Sequence, residues 1–174
     1  AARPRLVGAV THITSLGFAA FLLREIKRLD PSIRTVLSGY QATVSGEAAL
    51  ERLPWVDFVV AGEHEIAYRD LLAGNLAPRQ VVRVTERLPL DSLPPADYAN
   101  LDMTRYQWMS VRASLNCPYG CAFCQENAVW DRFRVPAIEH IVDEIEAQLG
   151  RHPQRHVDFI DAEMTTYAEP LARA

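Results

Sequence analysis

Short apolar runs alternate with segments of helical period along the first ninety residues. Leu6 to Ile13, LVGAVTHI, is apolar and rich in β-branched residues, and reads as a buried strand. Phe18, Leu22, Ile26 and Leu29 are spaced four, four and three, which predicts the core-facing stripe of a helix with Arg24, Lys27 and Arg28 outside it. Asp30-Pro31 ends that helix, because a residue before proline is pushed out of helical geometry. Thr35 to Gly39 predicts a second strand, and Ser45 is a candidate cap for a short helix running to about Leu53. Phe58 to Gly62 predicts a third strand, Glu65 to Leu72 a third helix and Val81 to Val84 a fourth strand.

Strands alternating with helices imply a parallel sheet covered by helices on both faces, an α/β fold of Rossmann-like type. Ligands of such sheets sit at the carboxyl ends of the strands. The loops THITS, SGYQAT and AGEHE occupy that position. They read first as turns made of turn residues. Their small and glycine-containing character also lets backbone approach a ligand closely.

The texture then changes. Arg87 to Asp102 holds three prolines and no periodicity, and reads as an extended linker. Trp108 to Ser114 predicts a strand that runs directly into a cysteine-bearing loop. Ile138, Ile141, Ile145 and Leu149 mark a helix with Glu139, Asp143, Glu144 and Glu146 largely on its other face. His156 to Glu163 predicts a further strand. The expected division is residues 1–86, a linker at 87–106, and 107–174 as the opening β/α units of a second domain.

Composition narrows the class. The chain has 174 residues, 49% of them apolar and 23% charged, as in ordinary globular proteins. A net charge of -4 gives no electrostatic reason to expect nucleic acid or an anionic membrane. No apolar run reaches the ~20 residues needed to cross a bilayer. Three cysteines cannot all pair with one another, so a reducing, cytoplasmic setting fits better than a secreted disulfide framework.

All three cysteines, Cys117, Cys121 and Cys124, fall within the stretch NCPYGCAFCQEN. A structural zinc site wants four ligands, usually as two pairs, and a second pair is absent here. Inert buried thiols are common for single cysteines, but less natural for three on one proline- and glycine-containing loop. An iron–sulfur cluster takes thiolates, normally four. Three would leave one iron of a four-iron cluster open to a substrate or cofactor. That reading is preferred, with a zinc-binding module as the alternative of a different class.

The segment CPYGCAFC resembles the cluster motif of the radical S-adenosylmethionine enzymes in spacing, in the aromatic before the third cysteine and in the preceding strand. The resemblance implies that Cys117, Cys121 and Cys124 bind three irons of a 4Fe–4S cluster, with S-adenosylmethionine on the fourth. It implies reductive cleavage of that cofactor to methionine and a 5′-deoxyadenosyl radical, fed by an electron donor such as flavodoxin or ferredoxin. Phe123 would pack beside the adenine, its plain alternative being a core aromatic. Asp161 or Glu163 would face the cofactor's ammonium group.

Upstream, TVLSGYQAT, VDFVVAGEHE and LDSLPPADYANLD, in that order, are similar to the cobalamin-binding half of the cobalamin-dependent branch of this family, and RVPAIEHIVDEIEAQL and VDFIDAEMTT downstream resemble it too. The resemblance implies a Rossmann-like cobalamin domain followed by the start of a partial barrel. Thr11 to Ser15, Ser38, Gly39, Tyr40 to Thr43, Gly62 and Glu63 would line the cobalamin loops, with Glu63 otherwise a helix cap and His12 a packed or solvent-facing side chain. The implied chemistry is methyl transfer to an unactivated carbon or phosphorus centre of a small, natural-product-like substrate. Cyclisation or rearrangement, or a front domain that no longer binds cobalamin, are the alternatives. Against the family, the chain reads as an internal or truncated piece. The strand expected before Ala1 would sit mid-sheet, so its absence predicts a gap or re-pairing, poor stability and no turnover by these residues alone.

Overall fold

The computed structural model describes residues 4–130, 132–152 and 156–173. It divides into two compact units, Ala1–Arg87 and Leu88–Ala174.

The first unit is a four-stranded parallel sheet in the order β1-β2-β3-β4, with β1 Leu6–Val10, β2 Arg34–Ser38, β3 Phe58–Ala61 and β4 Gln80–Arg83. Val10 pairs with Ser38, Leu37 with Val59 and Ala61 with Arg83. Each strand is bonded to the next, so of the gap or re-pairing expected in this sheet, no gap opens among the described strands. Alternate side chains feed opposite faces. On one face Leu37 and Val59 pack with helices α1 (Leu16–Leu29) and α2 (Tyr40–Arg52). On the other Val36, Phe58 and Val60 pack with α3 (His64–Ala73). Phe58, Leu23 and Leu37 are fully buried, and each such side chain contributes about 1.5–3 kcal/mol by leaving water.

Three local expectations are corrected. The buried face of α1 is Ala19, Ala20 and Leu23, whereas Phe18, Leu22 and Leu29 are exposed. Two stripes of α1 share the helical period. The small-residue stripe faces the sheet because alanines let the helix lie close, where Trp55 Nε1 donates to the Ala20 carbonyl at 2.8 Å. The second helix starts at Tyr40 rather than after Ser45, whose hydroxyl accepts from Gln41 Nε2 at 2.8 Å inside the helix. The helix is interrupted at Gly46, which leaves helical geometry at φ 40°. The first strand ends at Val10, whose pairing with Ser38 is closed by the Thr11 amide on the Ser38 carbonyl; beyond it the chain turns, and the His12 carbonyl accepts from the Ser15 and Leu16 amides.

In the second unit β5 (Met109–Val111) and β6 (Val157–Phe159) pair in parallel, with α4 (Glu126–Val129) and α5 (Ile138–Arg151) between them and α6 (Ala168–Arg173) after. Ala113, Ile141 and Tyr167 form the core, with Phe133, Ile145, Phe159 and Met164 around them. This is one β/α/β layer; the described residues close no barrel. Both strands are shorter than their apolar runs. From Leu88 on, the segment read as a linker lies in this unit and contains two 3-10 turns, Leu90–Ser92 and Met103–Arg105. It is held to α5, where Asp91 accepts from the Ala137 amide at 2.7 Å and Gln148 donates to the Ala96 carbonyl.

Candidate functional site

The carboxyl ends of β1, β2 and β3 carry the first group of candidate residues. Thr11 is fully buried, and both its amide and its hydroxyl donate to the Ser38 carbonyl, at 2.7 and 2.9 Å. Gly39 follows at φ 90°, with the Thr11 carbonyl accepting from Gln41 N at 3.0 Å. Thr43 Oγ1 donates to the Gly39 carbonyl at 2.9 Å and accepts from the amide of Gly62, itself at φ 99°, at 3.1 Å. One hydrogen-bonded chain therefore joins the three loops. Ser38 is also fully buried, its hydroxyl 3.3 Å from that of Tyr68. Ser15 Oγ accepts from the His12 amide at 3.0 Å and closes the first loop. His12 is exposed and stacks on Tyr40 with ring centroids 4.9 Å apart. Glu63 occupies the N-cap position of α3 but makes no side-chain cap; its carboxylate lies 3.5 Å from Arg87 Nε and is largely buried.

The cysteine loop leaves the second unit's sheet just beyond β5. Its root is Asn116, buried and at φ 70°, a left-handed conformation that asparagine tolerates better than most residues. Asn116 Nδ2 donates to the Trp130 carbonyl at 3.3 Å, while Oδ1 is buried without a partner. Cys117 and Cys124 are half-buried and Cys121 is exposed; all three are free thiols. The Cys124 amide donates to the Cys121 carbonyl at 3.0 Å, which makes a tight turn, and Gly120 has open space around it. Among the described residues no three His, Cys, Asp or Glu side chains converge as a ready metal site. The donor set nevertheless fits a cluster that takes three protein thiolates, on a loop exposed enough to fold around it. Phe123 is 93% exposed.

The two candidate carboxylates serve different bonds. Asp161 accepts from the Ala113 amide at 3.1 Å and from the Ser114 hydroxyl at 2.6 Å. It thus ties the end of β6 to the strand that leads into the cysteines. Tyr167 adds its hydroxyl, 3.3 Å from Ser114 Oγ. Burial raises the Tyr167 phenol well above its usual range, and the Asp161 carboxylate adds to that rise. Ser114 and Tyr167 escaped the sequence reading. The signal for Ser114 was its place three residues before the first cysteine; for Tyr167 there was none.

Glu163 closes the turn that follows. Hydrogen bonds from the hydroxyls of Thr165 and Thr166, and then from their amides, hold its carboxyl down from about 4.5 to about 2. A depressed carboxylate contributes to order above its ordinary pKa, and that contribution is lost as pH falls through the folded value. The Thr165 and Thr166 amide resonances should therefore titrate with a midpoint near 2 rather than 4.5. In Glu163→Gln they should not move over that range; a midpoint near 4.5 in the unsubstituted chain would remove the turn.

No described helix is long and apolar enough to cross a membrane. No protein-family model matches the chain. Several curated proteins are similar to it over nearly its whole length. An anaerobic magnesium-protoporphyrin IX monomethyl ester cyclase of Rubrivivax gelatinosus is 28% identical over 95% of this chain and 35% of its own. An uncharacterised methyltransferase of Pyrococcus horikoshii is 25% identical over 93% of this chain and 40% of its own. A tRNA-2-methylthio-N(6)-dimethylallyladenosine synthase of Thermodesulfovibrio yellowstonii is 21% identical over 92% of this chain and 36% of its own. The chain spans little more than a third of the length of these relatives. Its homologues are members of the radical S-adenosylmethionine family, matched over part of their length.

Proposed function

We propose that the chain carries the cofactor-binding portion of a radical S-adenosylmethionine enzyme of the cobalamin-dependent type. The observation that carries the proposal is three free thiols on one exposed loop at the end of a parallel strand, in a chain whose homologues belong to the radical S-adenosylmethionine family. Cys117, Cys121 and Cys124 would hold a 4Fe–4S cluster. When bound, the cluster and S-adenosylmethionine supply a one-electron cleavage that yields methionine and a 5′-deoxyadenosyl radical. The chain's own residues bind and orient. Phe123, exposed beside the third cysteine, offers its face to the adenine. Asp161 is the better-placed partner for the cofactor's ammonium group. It is bonded to Ala113 and Ser114 on the cysteine-bearing strand, whereas Glu163 is bonded within its own turn.

Cobalamin would lie over the interlinked loops of Thr11, Ser15, Ser38, Gly39, Thr43, Gly62 and Glu63, at the sheet end where such folds take ligands. The reaction of the whole enzyme is then methyl transfer to an unactivated centre, as a methyltransferase relative favours. Cyclisation is the second reading, favoured by relatives named as cyclases. The working setting is the cytoplasm, with a flavodoxin- or ferredoxin-like electron donor and a small-molecule substrate.

The test is electron paramagnetic resonance of the chain, reconstituted anaerobically with iron and sulfide and then reduced. A reduced 4Fe–4S signal should appear and change shape when S-adenosylmethionine is added. Zinc at one per chain after anaerobic purification, without iron or sulfide, would overturn the reading in favour of a zinc module. In the same preparation added cobalamin should shift its visible absorption; an unshifted spectrum removes the cobalamin part alone.

A further inference from the structure

The second unit contains a cavity of about 400 Å³, within the roughly 300–1,000 Å³ range of small-molecule sites. Leu90, Leu93 and Ile160 give it an apolar wall, and Arg112, His140 and Glu144 reach it from β5's extension and from α5. The polar groups are not equally committed. Glu144 accepts the Ala96 amide at 3.2 Å. Tyr98, also at the cavity, donates to the Ser110 carbonyl at 2.6 Å. Among the described residues the side chains of Arg112 and His140 make no hydrogen bond or ion pair. Ser114 lines the same cavity, so the strand that presents Arg112 runs on within five residues to Cys117.

We infer that this cavity binds an amphipathic carboxylate. Its head group pairs with Arg112, and its apolar body lies along Leu90, Leu93 and Ile160. A guanidinium presents a planar fork that matches a carboxylate. His140 supplies a second donor nearby on the cavity wall. A cationic head would meet Arg112 with like charge, and a wholly apolar ligand would leave the fork unused. The inference deepens the proposed function by naming the substrate class, and it rests on that function only for the word substrate. Binding itself needs no cluster.

The experiment is isothermal titration of the 174-residue chain, metal-free and with its thiols reduced, using octanoate, 1-octanol and octylammonium as probes. Octanoate should bind saturably at one per chain. Arg112→Gln should weaken it about two- to fivefold, as loss of one partner of an exposed charge pair does, and Arg112→Lys should retain part of the affinity. Octanol binding should be weaker and the same in both variants, and far-UV circular dichroism should confirm that both fold. No saturable octanoate binding would overturn the inference. So would equal affinity in Arg112→Gln, which would place the probe on the exposed apolar surface of α1, or octylammonium binding as tightly as octanoate. Octanoate binding needs no metal, so its failure removes only this site, and failure of the separate paramagnetic test on the iron-reconstituted chain removes only the radical reading.

Discussion

Cys121→Ala should leave the fold intact and abolish the cluster. Cys121 is exposed on a loop with open space at its neighbour Gly120, so truncating it removes no core contact. The effect on metal content should be large. Altering even the groups that orient metal ligands costs about 10–100-fold in affinity, and here one of three ligands is deleted. Iron and sulfide per chain after reconstitution should fall at least about tenfold, and the reduced paramagnetic signal should vanish. Cys117→Ala and Cys124→Ala should do the same. Those two thiols are half-buried, so their melting curves are needed to separate ligand loss from damage to the loop. A variant lacking Cys121 that retains full iron and an unchanged signal would mean that the cluster sits elsewhere. Equal loss of bound zinc in all three, with no iron in the unsubstituted chain, would give the loop to zinc.

The three cysteines were legible because their signal is local: spacing, an aromatic and a turn within eight residues. The alternation of strand and helix was legible for the same reason, since each apolar run carries its own period. What lay outside the sequence is the part that depends on distant residues. Nothing near Asp161 says that its carboxylate is taken by Ala113 and Ser114, 48 and 47 positions away. Two stripes of α1 satisfy the helical period, and periodicity alone does not show that the alanine stripe meets the sheet. The larger residues Phe18 and Leu22 looked more like core, yet close approach of the helix favours the smaller side chains. Likewise Thr11, Gly39, Thr43 and Gly62 were each readable as turn residues. Their joining into one hydrogen-bonded chain across three loops emerges only when the strands are in register.

That chain of loops makes Gly39→Ala a strongly damaging change despite its small size. Gly39 sits at φ 90° and ψ -169°, a region that side-chain-bearing residues occupy at a cost of about 1–3 kcal/mol. Its missing side chain also has nowhere to go. A Cβ there would lie 2.9 Å from Thr11 N, Thr11 O and Val10 Cγ1. The two backbone atoms cannot move aside, because the Thr11 amide donates to Ser38 and the Thr11 carbonyl accepts from Gln41. Relieving the overlap breaks one or both bonds, worth about 1 kcal/mol each when buried. Together the expected loss is about 3 kcal/mol, which lowers the melting temperature of an 87-residue unit by about 12–24 °C. Gly17→Ala is the matched control: it lies in the first turn of α1 with nothing within 4 Å, and should be neutral or stabilise by up to about 1 kcal/mol. Hydrogen exchange followed by mass spectrometry assigns the change, since protection should fall in β1 and β2 and hold in the second unit. If Gly39→Ala melts like Gly17→Ala, Thr11 does not close over Gly39, and the loops are free of one another rather than joined.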